Sequence, residues 1–178
     1  SGNTAGILCV LYTSLLALPV PFAPVHLLFI NLLTDSLPAI ALGMEPARDG
    51  LLEQKPRDPK EPILNKSLAC RIGVQGLLIA VPVMTAFYLG YQSGTAEAMT
   101  MAFATLTLAR LFHGFNCRGR ESVFRLGLTT NRYSLMAFAA GVLLLAAVLF
   151  LPFLRSLFLV VPLTLAQTGW IVLLAFLP

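Results

Sequence analysis

Charge is what this sequence has least of. Among 178 residues, Asp, Glu, Lys and Arg together make up 11%, less than half of the roughly 25% found in soluble domains. A soluble chain needs charged side chains to cover its surface. With 57% hydrophobic residues and a mean hydropathy of +0.83, this one cannot form an ordinary soluble globule. The same apolar surplus excludes intrinsic disorder, which needs the opposite composition. Cysteine is scarce too. Cys9, Cys70 and Cys117 show no C-x-x-C pairing, which excludes a disulfide framework and a zinc site; each is expected to be a small buried hydrophobe. Also missing are a G-x-x-x-x-G-K-[ST] loop, a G-x-G-x-x-G turn opening a helix, H-E-x-x-H and G-x-S-x-G, so no motif for nucleotide binding or hydrolysis is present. No internal repeat or low-complexity tract is found.

What is present is a series of long apolar runs. A bilayer-spanning helix takes about 20 apolar residues, and hydropathy with polar punctuation predicts spans at 1–18, 23–44, 67–91, 97–116, 132–151 and 161–178. The expected fold class is all-α, a polytopic membrane bundle of about six helices, the first of them truncated. The chain opens at Ser1 without Met, lacks a basic segment leading to a cleavage site, and ends in apolar sequence. No signal peptide is expected, and the chain reads as a piece of a longer protein.

The loops fix the orientation. Loop 45–66 is polar and proline-rich, with Pro46, Pro56, Pro59 and Pro62 among ten charged residues. It holds Arg48, Lys55, Arg57, Lys60 and Lys66, and loop 117–131 holds Arg118, Arg120 and Arg125. The alternate connections carry Arg155 alone. By the positive-inside rule both basic loops are cytoplasmic. The net charge of +4 follows from topology, and no nucleic-acid partner is expected.

Polar groups within the spans mark function, because they are expensive in hydrocarbon. Asn31, Thr34 and Asp35 are spaced i, i+3 and i+4, which aligns three oxygen-bearing side chains on one side of an ideal helix. Such a hard face suits Ca²⁺, Mn²⁺, Na⁺ or H⁺ and does not suit soft metals. Pro38 has no N–H, so the Thr34 carbonyl loses its helical partner and becomes a possible backbone ligand. Asp35 lies ten residues before Glu45, about 15 Å from the cytoplasmic boundary and near the midplane. Arg110 and His113 share one helix face. Arg110 is about 9 Å below the cytoplasmic surface, so its side chain can snorkel outward or reach inward to Asp35. His26, near the outer end of its helix, is expected to be an interfacial residue.

The run Phe29-Ile30-Asn31-Leu32-Leu33-Thr34-Asp35-Ser36-Leu37-Pro38-Ala39 resembles the sixth transmembrane helix of the P-type cation pumps, most closely the calcium-pump branch. Lys55-Pro56-Arg57-Asp58-Pro59-Lys60-Glu61-Pro62 is similar to the loop between their helices six and seven, and Met101 through Asn116 to helix eight. The resemblance covers the whole chain, from within helix five to helix ten. It implies the transport domain of an ATP-driven cation pump, with Asn31, Thr34 and Asp35 as helix-six ligands and Asn3 as the helix-five ligand. It also implies that ATP and Mg²⁺ belong to domains preceding helix five, whose D-K-T-G-T signature this chain lacks, so that the chain alone is not catalytic. The implied partners are the bilayer, the protein's own N-terminal helices and its cytoplasmic phosphorylation domain, on which Lys55, Arg57 and Lys60 would dock. A prokaryotic plasma membrane is the expected location.

Two positions depart from the calcium-pump pattern: Gly6 stands where helix five carries an acidic ligand, and Arg110 where helix eight carries Glu or Gln. A fixed guanidinium near Asp35 repels a second divalent ion, so one ion site is expected, with Arg110 as a built-in counter-charge. Ca²⁺ leads, with Mn²⁺, Na⁺ and H⁺ open. Two other classes also remain open, a stand-alone channel or secondary transporter and a purely structural helical bundle.

Overall fold

The computed structural model describes residues 1–44, 65–117 and 131–178. Those residues form α1 (Gly2–Leu15), α2 (Pro24–Phe29), a π-helical turn (Ile30–Thr34), α3 (Ser36–Gly43), α4 (Lys66–Tyr91), α5 (Thr95–Asn116), α6 (Arg132–Phe150), α7 (Pro152–Phe158) and α8 (Leu165–Ala175). The result is an all-helical membrane bundle. Three units, Pro24–Gly43, Lys66–Tyr91 and Arg132–Phe150, are long and apolar enough to cross a bilayer, and Leu165–Ala175 is a shorter apolar helix. Large apolar side chains stay exposed along them, Leu143 at 69% and Ile40 at 67%. A water-facing protein would bury such groups; a bilayer bundle leaves them on its apolar outer surface.

Helix starts are encoded locally. The Asn65 Oδ1 accepts from the Leu68 N–H at 2.8 Å and caps α4, and the Asn131 Oδ1 accepts from the Ser134 N–H at 3.1 Å and caps α6. At α8, Thr164 and Gln167 cap each other's backbone N–H groups at 3.2 and 2.8 Å, satisfying first-turn donors that lipid cannot. Pro24 and Pro152 sit in the first turns of α2 and α7, where a missing N–H costs nothing.

The central helix is α5, which contacts α1, α4, α6, α8 and the π turn. Its Ala, Thr, Met and Phe side chains from Ala98 to Ala109 are almost all buried. Small residues allow backbones to approach closely in a bundle, and the α4–α5 hairpin shows it: a Cβ on Gly90 would lie 2.7 Å from the Ala98 Cα. Two threonine hydroxyls of this helix bond back to their own turn. Thr100 Oγ1 donates to the Ala96 carbonyl and Thr107 Oγ1 to the Phe103 carbonyl, each at 2.8 Å.

Several expectations are corrected here. The unit Pro24–Gly43, foreseen as a plain helix, contains a π turn, in which the Asp35 N–H bonds the Ile30 carbonyl five residues back at 2.9 Å. The break fits Pro38, whose ring crowds the carbonyl four residues earlier and removes an α-helical donor. The connection around Pro152 is itself the helix α7, and the last helix begins at Leu165. Only Cys9 is a buried cysteine; Cys70 and Cys117 are exposed. Nearly all of both basic loops, including Lys55, Arg57 and Lys60, lies outside the described residues.

Candidate intramembrane cation site

The helix carrying Asn31 and Asp35 is held at three levels. At its N-terminal end, the Ala23 N–H donates to His26 Nδ1 at 3.1 Å. Nδ1 is therefore the acceptor, and Nε2 bears the proton that it donates to the Phe158 carbonyl at 2.7 Å. The ring stacks on Phe103 at 4.4 Å between centroids. His26 is completely buried, which corrects its expected interfacial place: it bridges the ion helix to the end of α7. At the C-terminal end, Asn131 Nδ2 donates to the Ala41 carbonyl at 2.9 Å, from the same side chain that caps α6.

Arg110 of α5 forms the middle level. Its side chain reaches inward and does not snorkel: one terminal nitrogen, Nη2, pairs with Asp35 Oδ2 and donates to Asn3 Oδ1 at 2.9 Å. The Arg110 side chain is 8% exposed and that of Asp35 35%. A guanidinium presents several N–H donors in a fixed plane, so one group ties α1, the end of the π turn and α5 together. One turn further along α5, His113 Nε2 lies 2.9 Å from Ser1 Oγ and takes no part in that pairing.

Beside this knot lies a cavity of about 420 Å³, lined by Asn3, Asn31 and Arg110 together with Gly6 and the apolar side chains of Ile7, Val10, Leu11, Leu27 and Leu106. Asn3, Asn31 and Arg110 thus line one space, and Asp35 is joined to it through its pairing with Arg110. Thr34 lies in the π turn, and its side chain falls outside the described residues. No cluster of three or more His, Cys, Asp or Glu occurs among the described residues. Among the described residues the side-chain oxygens here are one carboxylate and two amides, hard donors of the kind that suit a hard cation.

Three contributors were not assigned by sequence reasoning: Gly2, over which the guanidinium lies, and the two struts His26 and Asn131. For His26 a signal existed, since a polar ring on an apolar helix needs partners. Gly2 gave none.

A family model described as "Cation transporting ATPase, C-terminus" matches residues 19–178. A calcium-transporting ATPase of Bacillus subtilis (strain 168) is 40% identical over 167 residues, 92% of this chain and 19% of that protein. Calcium-transporting ATPase 1 of Lactococcus lactis subsp. lactis is 38% identical over 97% of this chain and 20% of its own length. Calcium-transporting ATPase 1 of Bacillus cereus is 32% identical over 100% of this chain and 22% of its own. The chain therefore spans about a fifth of the length of these relatives.

Proposed function

The chain belongs to the family of cation-transporting ATPase C-terminal domains, and on that premise we propose that it is the membrane transport part of an ATP-driven calcium pump of a bacterial plasma membrane. It supplies one half of a single Ca²⁺ site from Asn3, Asn31, Thr34 and Asp35, and the rest comes from membrane helices of the longer protein. ATP and Mg²⁺ act in the portion of the relatives that this chain does not span. Lys55, Arg57 and Lys60 in loop 45–66 dock on the phosphorylation domain and carry its movements to the helices.

The observation that supports this reading best is the pairing of Arg110 with Asp35 and Asn3. In an empty site the guanidinium neutralises the carboxylate, which would otherwise stand charged in a medium of low dielectric. A Ca²⁺ ion entering the site takes over Asp35 and Asn3, and the guanidinium swings aside. Two unit charges about 4 Å apart interact by about 4 kcal/mol at an effective dielectric of 20, so a guanidinium this close excludes a second divalent ion. The relatives' names as calcium-transporting ATPases favour Ca²⁺ over Mn²⁺, Na⁺ or H⁺.

The test is Ca²⁺ binding and uptake by the full-length gene product in lipid vesicles. Asp35→Asn abolishes uptake. Arg110→Gln raises Ca²⁺ affinity or the number of ions bound. Stoichiometry and affinity both equal to the parent would overturn the counter-charge role.

A further inference from the structure

We propose that Gly2 is a positioning residue that seats the Arg110 guanidinium against Asp35, so that the size of the side chain at position 2 sets how tightly the site is latched when no cation is bound. The inference rests on the reading of Arg110 as a counter-charge and adds the residue that makes that position available.

The geometry is specific. A Cβ built on Gly2 would lie 2.5 Å from Arg110 Nε, 2.8 Å from Cζ and 3.1 Å from Cδ, well inside the 3.5–4.0 Å at which non-bonded heavy atoms rest. The guanidinium therefore lies directly on the bare Cα of α1, and from there its Nη2 reaches both Asp35 and Asn3. Gly6, one turn further along α1, behaves differently. A Cβ there would meet only Leu106 Cδ2 at 3.9 Å, an ordinary contact. Position 2 is thus where the guanidinium requires a glycine.

When a methyl group is added, the cheapest response is rotation of the Arg110 side chain, since the clashing atoms are its mobile end and not backbone. Room exists for it. Arg110 already lines the cavity of about 420 Å³ beside the site, so the displaced guanidinium keeps a place near the polar groups while losing its hydrogen bonds to Asp35 and Asn3. The chain stays folded, and α1 gains a better helix former at that position. A cation then finds Asp35 unlatched.

The experiment measures equilibrium binding of Ca²⁺ alone to the full-length gene product in lipid vesicles, for the parent, Gly2→Ala, Arg110→Gln and the double variant. The expected result is that Gly2→Ala binds Ca²⁺ more tightly, on the order of tenfold, while the same change made in the Arg110→Gln background has no effect. Equal shifts in both backgrounds would mean that position 2 acts through the backbone, and the proposal falls. No shift from Gly2→Ala alongside a clear one from Arg110→Gln overturns the role of Gly2 and leaves the counter-charge standing. No shift from Arg110→Gln removes the counter-charge reading and this inference with it. Folding is also informative. Gly2→Ala that folds only when Arg110 is Gln demonstrates the steric coupling directly; failure in both backgrounds refutes it.

Discussion

Replacing His26 by Phe tests whether the N-terminal strut holds the ion helix in place. The imidazole accepts from the Ala23 N–H at 3.1 Å and donates to the Phe158 carbonyl at 2.7 Å, with no exposed surface of its own. Phe keeps the volume and the stacking on Phe103, but orphans the buried Ala23 N–H and the partly buried Phe158 carbonyl. Each unmade bond costs about 1–3 kcal/mol, so a total of about 3 kcal/mol is expected. For a chain of this size that is a fall of about 6–12 °C in melting temperature. The protein carries its own reporter. Cys9 is fully buried, whereas Cys70 and Cys117 are exposed. With the latter two, and every cysteine outside this chain, changed to Ser, a thiol-reactive fluorescent maleimide reports the temperature at which Cys9 is uncovered. His26→Gln, whose amide can accept and donate like the imidazole, restores at least half of the loss. A His26→Phe midpoint within about 2 °C of the parent would refute the strut, because the hydrogen bonds would then contribute under about 1 kcal/mol.

Two further changes are expected to stabilise the bundle. Thr105 Oγ1 is the buried side-chain polar atom without a partner among the described residues, so Thr105→Val removes an unsatisfied group and gains about 1 kcal/mol; a loss of similar size in the same maleimide assay would show that the hydroxyl has a partner. Leu159 ends α7 at φ +54°, in a cap closed by the Val160 N–H on the Arg155 carbonyl at 3.0 Å, a left-handed position that favours glycine. Leu159→Gly therefore gains about 0.5–1 kcal/mol after the extra freedom of the unfolded chain is counted, and Leu159→Val, β-branched at the same φ, loses stability; the opposite order of the two midpoints would contradict the strain.

The sequence by itself determined the class of protein and the place to look. Its shortage of charge, the length of its apolar runs and the clustering of basic residues in two loops are one-dimensional properties, and a bilayer constrains them strongly because every spanning backbone must satisfy itself as helix. That is why the all-helical membrane bundle was legible in the sequence. Asn31 and Asp35 were legible for the same reason, as polar groups on an apolar helix. Pro38 foretold a break near the site, though not that the break would take the form of a π turn. What only the tertiary structure decided is which groups meet. Arg110 lies 107 residues from Asn3 and 75 from Asp35, and His26 lies 132 from the carbonyl it bonds. Whether an arginine near a helix end snorkels outward or turns inward depends on what stands opposite it in space. Here the neighbours opposite it are Asp35 and Asn3, with Gly2 leaving the room, and an absent side chain leaves no pattern along the chain to be read.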